Sequence, residues 1–545
     1  MYRTIFLFIA FSLFYKGFSQ NTDSYLVIYF DSKNNTPYSL ENPAEFLTER
    51  AIDRRTRFSI PIDSTDLPVN QNYIDSLFKL NIAEELLYTS RWLNCALVRP
   101  KARYEKHISQ IWIKNYSLVT IKRKRRNSYS SSFYEGNVST RNDNLTEKQL
   151  DEIGVSKLHS MGLTGKGVLI AVLDAGYRSV NTLPIFDSLR DREQIIATRD
   201  FAAKSSTIYS HHNHGTAVLA LLAGVIPDSY RGSAPEANYI LIRTENAAYE
   251  SRLEEFNWLA GAEYADSLGA DILNSSLGYN LFDNQADNYT INDLTGNVAI
   301  CSKAAGIAAS KGMVVVSSAG NDGETQWRYL NFPADNPHIF TIGATDSDGV
   351  RWSGSSIGMP FHAYKPDFMS RGADVWVPST ISEGFYKSTG TSYSAPIFAG
   401  GVACLLQYYS DKSPLQIKQA LKETAKNSDS PNNYIGYGFP DFYNAFYKLQ
   451  NISPPENNTI TINKLFYDKT SNTLNIDIVN TKDRTVYIDV FDSLGRTLQS
   501  IVKDTTPGFP LSLVISIPQL NMPQVVVVTV RGQTSTGITQ KIMLY

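Results

Sequence analysis

The stretch Gly390-Thr391-Ser392-Tyr393-Ser394-Ala395-Pro396 runs into Ile397, Phe398, Val402, Leu405 and Leu406, interleaved with Ala399, Gly400, Gly401 and Ala403. The small residues predict a helix buried closely against its neighbours. Pro396 fits only the first turn of such a helix, because proline has no N–H to give. Ser392 then falls at the helix N-terminus, where unpaired N–H groups and the helix dipole favour negative charge. A serine nucleophile that creates an oxyanion beside itself would use that field. A plain helix start has the same pattern, so the rest of the chain must separate the two readings.

Upstream, from about Thr146, apolar runs alternate with helical stretches. Val168 to Leu173 is a continuous apolar run, as expected of a strand covered on both faces of a parallel sheet. It ends at Asp174-Ala175-Gly176, which would lie in the ligand crevice of an open α/β sheet. A lone Asp there also makes a plain turn. His211-His212-Asn213-His214-Gly215-Thr216 precedes the apolar helix Ala217 to Ala223, closed by Gly224. There is no HExxH spacing and no nearby cysteine, so we assign no metal. His214 starts the helix and is the catalytic candidate; His211 and His212 read as solvated. Asn238 to Arg243 is a strand, Leu253 to Leu268 a helix and Asp271 to Asn274 another strand. That strand runs into Ser275-Ser276-Leu277-Gly278, whose small residues leave the backbone available for pairing. Tyr279 to Asn297 reads as a surface insertion. After a helix over Val298 to Ser310, the strand Met313 to Val316 delivers Ser317-Ser318-Ala319-Gly320-Asn321-Asp322-Gly323 to the same sheet edge.

The flanks differ. With 545 residues the chain is too long for one ordinary domain, and its net charge of −2 gives no electrostatic case for nucleic acid. Met1-Tyr2-Arg3 and the apolar run Ile5 to Phe14 read as a signal peptide over residues 1–19, too short to span a bilayer. No later segment reads as a transmembrane helix. Three scattered cysteines, Cys95, Cys301 and Cys404, make no disulfide framework. Strands at Tyr25 to Phe30, Arg91 to Val98 and Ser117 to Ile121, and helices around Pro43 to Arg57 and Tyr73 to Leu80, predict a small α+β domain over 20–126. A further helix is expected between the last two strands. The basic run Lys122 to Arg126 and a polar stretch form a linker or processing region, 127–150. After residue 450, Pro454 and Pro455 mark a linker over 451–459. Beyond it the apolar period becomes two, in Leu474, Ile476 and Ile478, in Val486, Ile488 and Val490, and in Leu511, Leu513, Ile515 and Ile517. That predicts a β-sandwich-like domain over 460–545.

Asp174, His214 and Ser392 occur in the order found in subtilisin. The blocks Val172 to Gly176, His214-Gly215-Thr216 and Gly390 to Pro396 resemble the signatures of subtilisin-like serine peptidases, across roughly residues 150 to 450. The resemblance implies a subtilisin-like catalytic domain over 151–450, polypeptide substrates and no cofactor. It implies Ser392 as nucleophile, His214 as base, Asp174 as its orienting carboxylate and Asn321 as oxyanion donor. Ser276, Leu277, Gly278, Ala319 and Gly320 match its substrate-binding segments. Residues 20–126 resemble an inhibitory propeptide of secreted subtilases. The last domain resembles the C-terminal sorting domain of Bacteroidetes type IX secretion cargo, through Val486 to Arg496 and Lys541 to Tyr545, with the type IX machinery as partner.

Two other readings have residues to support them. Gly354-Ser355-Ser356-Ile357-Gly358 fits the GxSxG esterase pattern, but only His362 follows Ser356 closely, with no acid between. An inactive, substrate-binding relative is the other, although all four chemical positions keep competent residues.

Overall fold

The computed structural model describes residues 22–122, 144–360, 363–452, 459–517, 524–535 and 537–544. The expected signal peptide, most of the basic run and polar stretch, Pro454, Pro455 and His362 lie outside the described residues.

The central element is a seven-stranded parallel sheet. Its strands run, from one side to the other, Phe368–Arg371, Phe340–Thr345, Val314–Ser318, Ile272–Ser275, Leu169–Asp174, Asn238–Arg243 and Ile195–Asp200. All six registers are parallel. The strand Leu169–Asp174 is buried at every residue because both faces are covered. Ile170 and Val172 pack under the helices His214–Ala223 and Thr391–Tyr408. Leu169, Ala171 and Leu173 pack under the helices Arg252–Ser267 and Ile300–Ser310. The continuous apolar run therefore feeds two cores, as period two demands of a strand with no solvent face. Parallel strands share one carboxyl edge, so Asp174, Ser275 and Ser318 end together there. Tyr279–Asn297 holds short 3-10 turns and buries Tyr279, Phe282, Tyr289 and Leu294, so it is packed more firmly than a surface insertion.

The N-terminal domain is a four-stranded antiparallel sheet in the order Ala83–Ser90, Cys95–Pro100, Thr22–Phe30, Ile113–Lys122, with helices Glu49–Arg57 and Gln71–Lys79. The strand Ala83–Ser90 was not anticipated. The helix expected before the last strand is only the 3-10 turn Tyr104–Lys106, too short for a buried face. One face of this sheet, through Val27, Leu97 and Val119, together with Trp92 of the turn before Cys95, shares a core with Phe256 and Leu259 of the helix Arg252–Ser267.

The C-terminal domain is a sandwich of a three-stranded and a four-stranded antiparallel sheet. Leu474, Ile476, Ile478, Val486, Ile488, Val490, Ile515 and Ile517 line its core, while Leu511 and Leu513 are only partly buried. Phe509 packs on Tyr408 and Phe446, and the Tyr447 hydroxyl donates to the Gly508 carbonyl at 2.6 Å, joining this domain to the one built on the parallel sheet.

Candidate active site

Asp174 is the last residue of its strand and His214 the first of its helix, so both face the carboxyl edge. The His214 Nδ1 lies 2.8 Å from Asp174 Oδ1 and 3.0 Å from Oδ2. Asp174 is fully buried and its Oδ1 also accepts from the Ala175 N–H at 2.7 Å. An N–H at Nδ1 facing that carboxylate leaves Nε2 as the basic nitrogen of the ring. The helix can come this close because residue 215 is glycine: a Cβ there would lie 2.5 Å from the Gly176 carbonyl oxygen. Arg243 is buried beneath, donating to the Ala175 carbonyl and the Asp200 carboxylate, each at 3.0 Å. His211 and His212 are half-buried rather than solvated. His212 Nδ1 accepts the His214 N–H at 3.1 Å, and burial, then the charge of His214, push its pKa down.

Ser392 is the second residue of the helix Thr391–Tyr408. Every other residue from Thr391 to Leu406 is buried; Ser392 alone is not. Its hydroxyl donates to the Ser276 carbonyl at 3.1 Å, and the Ser276 hydroxyl donates back to the Ser392 carbonyl at 2.8 Å. That second bond accounts for a departure from the sequence reading. Pro396 is not in the first turn but at the sixth helical position, where it removes the N–H that would bond the Ser392 carbonyl. The Ser276 hydroxyl supplies the missing donor. The neighbouring ring of Tyr393 lies 6.1 Å from the His214 ring, centroid to centroid.

Asn321 lies across the same helix start. Its Oδ1 accepts from the Thr391 N–H and hydroxyl, both at 2.9 Å. Ser276, Leu277 and Gly278 follow the strand Ile272–Ser275, and among the described residues no main-chain group pairs with the backbone of Leu277 or Gly278. Ala319 and Gly320 differ: the Ala319 N–H and C=O pair with Ile342 and Asn331, and the Gly320 C=O accepts from Ser356. The main chain of this segment is therefore already paired within the fold. A Cβ at either Gly278 or Gly320 would lie 2.8 Å from the Asn331 side chain, so Asn331 sits between these two segments.

Ser356 of the GxSxG pattern is fully buried; its Oγ accepts from the Asp322 N–H at 3.0 Å and its N–H donates to the Gly320 carbonyl at 2.9 Å. It supports the Asn321 loop. Sequence reasoning missed Thr391, Arg243, Asn331 and this role of Ser356. Thr391 alone carried a signal, as a hydroxyl beside the serine.

An aspartate–histidine pair and a serine at a helix start, gathered on one edge of a doubly covered parallel sheet, make the class of a serine hydrolase. Comparison with known proteins narrows this. The subtilase family matches residues 165–438, and the Peptidase S8 propeptide domain of Bacteroidota matches residues 25–134. The chain belongs to the subtilase family of serine endopeptidases, and its N-terminal domain is a propeptide domain.

The Arabidopsis thaliana subtilisin-like protease SBT6.1 is 30% identical over 315 residues, 55% of this chain and 28% of that protein. Subtilisin E of Bacillus subtilis is 28% identical over 297 residues, 53% of this chain and 67% of that one. The chain thus spans little more than a quarter of the plant relative's length and about two thirds of the bacterial one's. Among solved structures, MycP1 with its N-terminal propeptide removed aligns with TM-score 0.44 and 22% identity, over 55% of this chain and 96% of that one.

Proposed function

We propose that this chain is a secreted serine endopeptidase made as a zymogen. His214 Nε2 takes the Ser392 proton as Oγ attacks the peptide carbonyl, and Asp174 holds the imidazole and stabilises its cation. The tetrahedral oxyanion receives the Asn321 amide and the Ser392 N–H, at the positive end of the helix. His214 then protonates the leaving amine, and water hydrolyses the acyl-enzyme. Substrate lies along Ser276-Leu277-Gly278 as an added strand. The observation that carries this reading is that Ser392 alone is half-buried within the otherwise buried run Thr391 to Leu406, on the edge that holds the Asp174–His214 pair.

A fluorophosphonate tests it: attack of Ser392 Oγ on phosphorus expels fluoride and leaves a phosphonyl ester on the serine. Mass spectrometry should find one adduct, on Ser392, lost in His214→Ala. An adduct on Ser356 would favour the esterase reading, and no adduct on the folded, processed chain the inactive one.

The propeptide domain inhibits the enzyme until Ser392 cuts the chain within the region after Lys122. The C-terminal sandwich acts as a sorting domain for the type IX route. Its support is the strand Thr485–Phe491 with the turn in which Asp492 Oδ1 accepts from the Leu494 and Arg496 N–H groups, at 2.9 and 2.8 Å. Among the described residues no helix is long and apolar enough to cross a membrane.

A further inference from the structure

The propeptide domain and the catalytic domain meet in a buried ionic socket. Asp266, near the C-terminal end of the helix Arg252–Ser267, receives three guanidinium groups. Arg54 donates to its Oδ1, and Arg55 and Arg91 to its Oδ2, the latter two at 2.8 and 2.6 Å. Arg54, Arg55 and Asp266 are all at most 1% exposed. Arg54 also donates to the carbonyls of Ala270 and, at 3.1 Å, Lys311. One turn earlier in the helix, Glu263 accepts from the Ser90 hydroxyl and from the Arg91 and Trp92 N–H groups. Lys311 answers in the other direction, donating to Asp66 at 2.9 Å.

The socket is at the rear of the sheet. Ala270 precedes the strand Ile272–Ser275 and Lys311 the strand Val314–Ser318, whereas Asp174, Ser276 and Ser392 belong to the carboxyl edge. A carboxylate at a helix C-terminus opposes the helix dipole. Burial alone would raise the Asp266 pKa; Arg54, Arg91 and Arg55 outweigh it and hold the group below the usual carboxylate range. Buried ion pairs add little net affinity over apolar packing, because both partners lose their water. Their effect is on mismatch: a bound segment lacking these arginines would leave Asp266 charged, buried and unpaired.

We propose that the Asp266–Glu263 socket is a guanidinium-reading surface through which the catalytic domain selects and retains its own propeptide domain, independently of what occupies the catalytic cleft. This rests on the reading of the N-terminal domain as a separable inhibitor. It implies that anchoring and inhibition are distinct: the socket decides which segment stays, and the chain beyond Lys122 decides whether the cleft is blocked.

The test uses the full-length Ser392→Ala chain, which cannot process itself. Limited trypsin treatment at the basic run Lys122 to Arg126 separates the domains covalently, and size exclusion on serial dilution gives the Kd of the nicked pair. The pair should stay together at micromolar concentration. Asp266→Asn should weaken it by at least about thirtyfold, the range for removing one partner of a buried charge pair. Lys204→Ala, which removes an exposed pair with Glu85, should change Kd by less than about twofold. Arg55→Lys keeps the charge but loses the two-pronged donor, so it should also weaken the pair and decides the matter if Asp266→Asn yields no soluble chain. Retention at the parental Kd in Asp266→Asn, or in Arg55→Lys where Asp266→Asn yields no soluble chain, overturns the proposal, as does separation of the parental nicked pair at micromolar concentration. With the active serine absent, failure of self-processing or of inhibition in the natural chain is a separate result.

Discussion

Thr391 holds the Asn321 side-chain oxygen with two hydrogen bonds, from its N–H and its hydroxyl, both at 2.9 Å. An amide whose oxygen is held by two donors presents its nitrogen the other way. Asn321→Ala should therefore lower kcat by about a hundred- to a thousand-fold with little change in KM; that magnitude is the one known for the corresponding loss in subtilisin itself. Steady-state kinetics on a peptide substrate checks it. A change in KM alone would make Asn321 a substrate-binding residue.

Ser356 bonds residues on both sides of Asn321, Gly320 and Asp322, from a fully buried position. Ser356→Ala removes one buried acceptor, so kcat should fall by about tenfold without being abolished. Complete loss of turnover in a folded variant would revive the esterase reading.

The pH dependence of stability has two opposed contributions, from Glu245 and His159. Burial, ahead of all else, pushes Glu245 up from 4.5 to about 7; its Oε1 accepts from the Tyr279 hydroxyl at 2.5 Å. Between those values the folded chain holds a proton that the unfolded chain lacks, so this group's contribution falls as pH rises. Burial pushes His159 down from 6.5 to about 4, against the Ser233 carbonyl 3.0 Å from Nε2. There the unfolded chain holds the extra proton, and stability rises with pH across that window. The slopes oppose each other where the windows overlap. Glu245→Gln removes the falling one, so its unfolding midpoint relative to the parent chain should climb from about pH 4.5 to 7. A difference independent of pH would contradict the assignment.

Much of the fold was legible for a local reason. Val168 to Leu173 is apolar at every residue, and a strand covered on both faces needs that. The alternation in Val486, Ile488 and Val490 likewise has one buried face to fill. Asp174 and His214 were found because each ends or begins an element whose pattern was clear. What stayed hidden depends on partners distant in sequence. Pro396 at the sixth helical position is tolerated because the hydroxyl of Ser276, 116 residues before Ser392, replaces the donor lost to the Ser392 carbonyl. Arg54 and Arg55 lie in the helix expected around Pro43 to Arg57, but their carboxylate partner, Asp266, lies over two hundred residues away. In the strand Ala83–Ser90 only the two end residues are buried and those between do not alternate, so no period of two marks it.

A chain ending at Ile452 should still cleave peptides. It loses the Tyr447–Gly508 bond and the Phe509 contacts with Tyr408 and Phe446, so it should melt a few degrees lower, as a loss of one to a few hydrogen-bond equivalents would give. In a host with a type IX system it should remain inside the cell. Export at the parental level would refute the sorting role of residues 460–545.

The most direct test of the central claim is turnover by Ser392→Ala. The full-length variant should fold, retain its propeptide domain uncut when made without other proteases, and lose peptide hydrolysis by roughly a million-fold in kcat, the figure known for loss of the serine in subtilisin. Parental rates of peptide hydrolysis by the folded variant, or maturation to the parental N-terminus, would contradict the assignment of Ser392 as the nucleophile.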